Sequence, residues 1–242
     1  MSLVDVFREL HQGRAPGDPL VLPGPWDAVS ARVFEEAGFP ALATPSAGVS
    51  AALGYADGSV PPDEMFAAVA RIVRSVSGSV PVSADIEDGY GLPPKELVER
   101  LLATGAVGCN LEDSTGGVLK DPHEHADWLA QVRAAAGGEL FVNARVDTFV
   151  HGNGDPEQAI ERARLYVEAG ADCVYPILAP PEVLPRLRSA VDGPLNAGAK
   201  PDGPPSLREL GALGATRVTF GPGLLLRATE ALREIAGGLR QT

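Results

Sequence analysis

The chain has 242 residues, with 20 Lys and Arg against 32 Asp and Glu, a formal net charge of −12, and 45% hydrophobic residues. That balance excludes a nucleic-acid partner, which needs clustered Lys and Arg to meet phosphates. It leaves room for a small anionic ligand held by one local cation. No apolar run reaches the roughly 18 residues of a membrane span. The opening MSLVDVFREL lacks the basic flank and apolar core of an export signal. The two cysteines, Cys109 and Cys173, stand in apolar strand-like runs, so free buried thiols, a cytoplasmic location and no membrane partner are expected.

Eight short apolar runs follow one another along the chain. They are PLVLPG from Pro19, AGFPALAT from Ala37, VPVSAD from Val80, TGAVGCNL from Thr104, ELFVNAR from Glu139, AGADCVYP from Ala169, PLNAG from Pro194 and LGATRVTF from Leu213. Four carry a glycine as their second residue (Gly38, Gly105, Gly170, Gly214), placed for the left-handed position just past a helix, where a Cβ would clash. Continuous rather than alternating apolar runs suit parallel strands buried on both faces. Between them lie helical stretches. Phe66, Val69, Ala70 and Val73 form one apolar face, and Leu97, Val98, Leu101 and Leu102 another. Asp121-Pro122, Asp155-Pro156 and Ser206 with Glu209 read as helix starts. Eight strand–helix units in this length predict a single (β/α)8 TIM barrel spanning residues 1–242. GPWDAV after the first strand replaces the dinucleotide fingerprint of an open sheet.

Barrel chemistry sits at the C-terminal strand ends, and there the acids gather. Trp26 and Asp27 follow the first strand; Asp27 reads as a helix cap. TPSAG, with Ser46 and Ala47, follows the second, and GYADG places Asp57 further on. ADIEDGYG follows the third, setting Asp85 and Glu87 on one side of an extended strand, with Asp88 as a turn residue. NLEDS ends the fourth with Glu112 and Asp113. NARVD ends the fifth, where Asn143, Arg145 and Asp147 share a face. Asn196 lies in the seventh. Close carboxylates repel unless a cation offsets them, and a hard divalent ion with oxygen ligands is the simplest offset. The four histidines are too scattered for a zinc set. Asp113 and Asp147 read equally as structural or catalytic, and Arg145 reads as either a substrate clamp or a buried ion-pair partner.

ADIEDGYG, NLEDS and NARVD, in this order, with PGPWDAVSARVFEEAGFPALATPSAG before them and RVTFGPG after, resemble the isocitrate lyase / phosphoenolpyruvate mutase superfamily. The resemblance implies a Mg²⁺ ion (Mn²⁺ as a substitute) and a small 2-oxo or 2-hydroxy carboxylate whose C–C or P–C bond is made or broken beside an enolate. By motif it makes Asp85 the direct metal ligand, with Glu87 and Glu112 meeting the metal through water, Asp57 the acid of a mobile segment, Ser46 and Ala47 the carboxylate-binding turn, and Arg145 the arginine on the substrate's oxygens. Arg145, Asp57 and Glu112 are thus the catalytic candidates. Ser46, Ala47, Arg145 and Asn196 are the substrate-binding candidates, and Asp85, Glu87 and Glu112 the metal set.

The chain also departs from that pattern. Glu87 stands where an Asp is common. STGGVLKDPH from Ser114 replaces the KRCGH loop of isocitrate and methylisocitrate lyases, which removes their cysteine chemistry. VYPILAPP lacks the histidine that mutases and phosphonopyruvate hydrolases place after the sixth strand. The expected function is a Mg²⁺-dependent lyase working through an enolate. The alternatives are a phosphoenolpyruvate-mutase-like isomerase or carboxyphosphonate-type phosphorylmutase, a metabolite-binding barrel without turnover, and a phosphate-binding barrel using Gly221-Pro222-Gly223. The segment from Ser114 to His123, with its lone cation Lys120, is expected to be a mobile lid. A homo-oligomer, dimer or tetramer, is implied. Family tetramers exchange a C-terminal helix, an exchange expected to be lacking here because the sequence stops soon after Leu224 to Leu239.

Overall fold

The computed structural model describes residues 1–240; Gln241 and Thr242, the last two of the expected domain span, lie outside the described residues. All eight apolar runs form strands: β1 (Leu20–Val21), β2 (Leu42–Ala43), β3 (Val82–Asp85), β4 (Gly108–Leu111), β5 (Phe141–Val146), β6 (Cys173–Pro176), β7 (Asn196–Gly198) and β8 (Arg217–Thr219). Every neighbour in this set is parallel. β2 to β6 form one curled sheet, and β1, β8 and β7 another. The two join at a Val174–Leu195 bridge on one side. On the other, the Ala43 N–H donates to the Pro23 carbonyl at 3.1 Å. The chain is a (β/α)8 barrel.

Local signals explain the connections. Gly38, Gly105, Gly170 and Gly214 adopt φ of 86°, 84°, 98° and 113°, ending helices at the turns into β2, β4, β6 and β8. Asp27, Asp121, Asp155 and Ser206 cap the helices Ala28–Glu36, Pro122–Ala136, Pro156–Glu168 and Leu207–Ala212 through their side-chain oxygens. Helix Pro62–Ser75 buries Met65, Phe66, Val69 and Ile72 against the sheet. Each such side chain contributes about 1.5–3 kcal/mol through apolar area removed from water.

The N-terminal helix Leu3–Leu10 closes the bottom of the barrel. Phe7 is fully buried there, its ring centroid 5.0 Å from that of Phe141 in an edge contact, and His11 stacks on Phe141 at 4.2 Å. Burial, and secondarily the Arg217 charge, push the His11 pKa down to about 3, so this imidazole is neutral packing material. Above it Arg217, fully buried on β8, donates to the Asn110 side-chain oxygen at 3.4 Å.

At the other extreme of the chain, helix Gly223–Leu239 contributes no buried residue, and Leu226, Leu232 and Ile235 are exposed. Val29 and Val33, on the helix after β1, are exposed as well. Among the described residues no helix is long and apolar enough to cross a membrane.

One buried ion pair ties the end of β4 to the outer helices. Asp113, with no exposed surface, accepts from Arg162 at 2.9 Å and from the Tyr166 hydroxyl at 2.7 Å, both on helix Pro156–Glu168. Its other oxygen accepts the Asp147 backbone N–H at 2.7 Å. Asp113 is therefore structural. Asp113→Ala would leave the Arg162 charge buried and unpaired, and is expected to destabilise the protein by about 3–5 kcal/mol. Equilibrium urea unfolding checks this.

Candidate active site

The C-terminal strand ends open into one cavity of about 1270 Å³. It gathers six of the seven site residues expected outside β5: Ser46, Ala47, Asp57, Asp85, Glu87 and Glu112, together with Arg145 from β5 itself, all line it. Asn196 does not. It begins β7, in register with the buried Arg217, so it sits below the rim with no exposed surface, where its side-chain oxygen accepts from the Thr219 hydroxyl at 3.3 Å. Its expected substrate contact is corrected to a role inside the barrel.

The route by which Asp85 and Glu87 come together also differs from expectation. β3 stops at Asp85, and Glu87 takes a left-handed φ of 53°. Its N–H turns back to Asp85 Oδ1 at 3.3 Å. A tight turn, not strand alternation, brings the two acids to one cavity. Asp88, in that same turn, accepts the Tyr90 N–H at 3.0 Å, as a turn residue does.

Arg145 is a buried ion-pair partner that also lines the cavity. Asp147 grips it through Nε–Oδ1 at 2.6 Å and Nη2–Oδ2 at 3.0 Å, a two-pronged pair that fixes the guanidinium plane. Nη1 is left to reach forward to Glu112. Asp147 is itself held by the Ser114 hydroxyl and by its own N–H on Asp113. The Asp113–Asp147 pair thus acts as a brace behind the cation.

The three acids in front of Arg145 are poorly neutralised. Burial raises the Asp85 pKa, although Arg145 and the Ser46 backbone and hydroxyl pull it down. Burial, then repulsion from Asp85, push Glu112 up to about 9 and Glu87 up to about 7. Glu87 Oε1 is buried without a hydrogen-bond partner. Hard oxygen donors that resist ionisation for want of positive charge are what Mg²⁺ or Mn²⁺ takes. Among the described residues no three His, Cys, Asp or Glu side chains enclose a metal site by themselves. Asp85, Glu87 and Glu112 are the oxygen donors in the cavity that could help hold such an ion.

Ser114 to His123 is not an irregular loop. Ser114–Thr115 pairs antiparallel with Val118–Leu119, and Gly116 and Gly117 turn the hairpin at φ of 57° and 81°. Lys120, behind it, is engaged: Nζ reaches the Glu112 carbonyl at 3.4 Å and Asp88 at 3.7 Å, and lies 5.6 Å from the Trp128 ring centroid. At the start of helix Gly223–Leu239 the Gly223 N–H already donates to Phe220, which counts against the phosphate-binding alternative. Both cysteines are buried, with thiols pushed up to about 12 by burial. Sequence reading passed over the apolar part of the wall, Tyr90, Trp128, Ile177 and Leu178 among it. The GYG and YPIL runs carried that signal, but no charge drew notice to them.

Comparison with known proteins decides the family. The phosphoenolpyruvate phosphomutase family model matches residues 7–240. The chain belongs to the phosphoenolpyruvate mutase/isocitrate lyase superfamily. An uncharacterised protein of Mycobacterium tuberculosis (strain ATCC 25618 / H37Rv) is 34% identical over 238 residues, covering 96% of this chain and 89% of its own. The 2-methylisocitrate lyase of Aeropyrum pernix is 32% identical, over 71% of this chain but only 57% of the enzyme. A Burkholderia cenocepacia J2315 protein with a provisional phosphonomutase assignment superposes with a TM-score of 0.88 at 39% identity, covering 97% of this chain and 98% of that one. Superfamily relatives thus include lyases and mutases.

The raised carboxylates set a pH dependence of stability when no metal is bound. The folded state keeps protons on Glu87 and Glu112 above the ordinary value of 4.5, where the unfolded chain has released them. Folding stability therefore falls as pH rises from about 4.5 through about 7 and on to about 9. Thermal melts in chelator are expected to show this fall, and Glu112→Gln is expected to flatten its upper part.

Proposed function

We propose that this superfamily member is a divalent-metal-dependent lyase. It cleaves or forms a C–C bond in a small 2-oxo or 2-hydroxy carboxylate through an enolate. The observation that carries this reading is the braced Arg145 facing Asp85, Glu87 and Glu112 in a cavity at the strand ends. Asp85, Glu87 and Glu112 would hold Mg²⁺ or Mn²⁺, which when bound supplies a Lewis acid for the developing negative charge.

The chain's own residues do the rest. Ser46 and Ala47 open helix Ser46–Leu53, whose first-turn N–H groups and positive dipole end favour a carboxylate. Arg145 cannot swing away from its Asp147 clamp, so its charge is already placed where the enolate oxygen forms. The hairpin Ser114–Leu119 and Tyr90 border the cavity and limit water. A thiol acid or base is not used, since both cysteines are buried in strands. A mutase reading needs a phosphoryl carrier; the superfamily membership leaves it as the alternative.

Enolate formation is testable before the substrate is known. With Mg²⁺ and D₂O, a panel of 2-oxo acids is expected to exchange C3 protons for deuterium, followed by proton NMR. Chelator and Asp85→Ala should each stop the exchange. Arg145→Lys should not restore the loss caused by Arg145→Ala, at least about 2 kcal/mol of transition-state stabilisation, because Lys lacks the planar fork. Full exchange by metal-free Asp85→Ala protein would refute the proposal.

The assembly proposed is a homo-oligomer. No residue of helix Gly223–Leu239 is fully buried, Leu226, Leu232 and Ile235 on it are exposed, and Val29 and Val33 stand exposed on the helix after β1. A second copy that covers these faces would remove them from water. Light scattering on the eluting protein is expected to give a dimer or tetramer. The pair Leu232→Glu and Ile235→Glu is expected to give a smaller species.

A further inference from the structure

The cavity wall is lopsided in charge. Six acidic side chains line it against two basic ones, Arg145 and Lys120. Both bases are already engaged: Arg145 by Asp147 and Glu112, Lys120 by Asp88 and the Glu112 carbonyl. His125 is held neutral, its pKa pushed down to about 3 by burial. His151 lies beside the hairpin turn, near Gly117. A divalent ion would answer the carboxylates in front of Arg145 and leave nothing for a second substrate carboxylate further out. An unpaired charge taken from water into such a wall binds poorly.

The outer wall is apolar instead. Val150 follows β5, and Ile177 and Leu178 follow β6. Leu178 is 68% exposed and takes a left-handed φ of 57°, an outlier for a bulky residue. The turn thus holds an apolar side chain in water at the cavity mouth, in a backbone conformation that glycine would adopt more easily. Within the chain that placement returns no packing. Strained positions of this kind gather at ligand sites.

Resting on the function proposed above, we infer that the substrate has a single carboxylate, at its 2-oxo or 2-hydroxy end, and an uncharged apolar remainder lying against Val150, Ile177 and Leu178. Di- and tricarboxylates are then poor substrates.

Isothermal titration of the Mg²⁺-loaded protein tests this with two matched series. One runs from pyruvate to 2-oxohexanoate; the other carries a terminal carboxylate, as in oxaloacetate and 2-oxoglutarate. Affinity is expected to rise about fourfold per added methylene in the first series, the equivalent of about 0.8 kcal/mol per buried CH₂. The second series should bind at least about tenfold more weakly than the counterparts that lack the terminal carboxylate. Leu178→Gly should weaken 2-oxohexanoate but not pyruvate, and its melting temperature should hold or rise because the left-handed turn is relieved. Leu178→Arg should move preference toward 2-oxoglutarate. Equal or tighter binding of the terminal carboxylates, or a flat first series, overturns the inference while leaving the enolate reading intact. If neither oxalate nor pyruvate binds with Mg²⁺, the functional reading itself fails and the inference falls with it.

Discussion

The clamp of Asp147 on Arg145 is the interaction on which the site depends. Without it a long, flexible cation would fold onto whichever carboxylate lay nearest, and Asp85, Glu87 and Glu112 would repel one another without a fixed answer. The two-pronged pair removes that freedom and points Nη1 at Glu112. Asp147 can do this because Ser114 and Asp113 hold it, and Asp113 because Arg162 and Tyr166 hold it. The brace runs from an outer helix through two strand ends to the cavity. Its members have little or no exposure, so the array acts as one rigid body.

Much of the barrel was legible because its signals are local. A helix-ending glycine followed by an apolar run marks its own turn, and four such turns space the strands without any long-range information. Asp27, Asp121 and Asp155 were readable as caps for the same reason. The rim acids were readable because barrel geometry sends strand ends to one face. What failed needed a third dimension. Asn196 carries a polar group near a strand end, yet its inward pointing and the shortness of β7 put it beneath the cavity. Glu87 reaches the site by a left-handed turn that strand periodicity cannot foresee. Arg217 is one polar residue in an apolar run, and closure of the barrel makes it a buried cation above Phe7. The role of Asp113 was undecidable until Arg162, 49 residues on, was seen beside it.

Stability and chemistry are separated along the barrel axis. At the bottom, Phe7, His11 and Phe141 stack into an aromatic plug, and burial keeps the one titratable ring among them neutral. Nothing there requires a ligand. At the top, acids are crowded into a half-buried rim where their own ionisation is opposed, and two non-glycine residues, Glu87 and Tyr90, take left-handed backbone in one short turn. Each of these features opposes folding. They persist because the fold over-determines them: a Cβ at Gly89 in that turn would stand 3.0 Å from the Trp128 ring and 3.1 Å from Leu97, so the turn is closely packed from outside. A scaffold stabilised at one end can hold such an arrangement at the other, with charge already oriented before a substrate arrives. The preorganised rim therefore follows from how the strands close, with the brace behind Arg145 supplying the one orientation that closure alone leaves free.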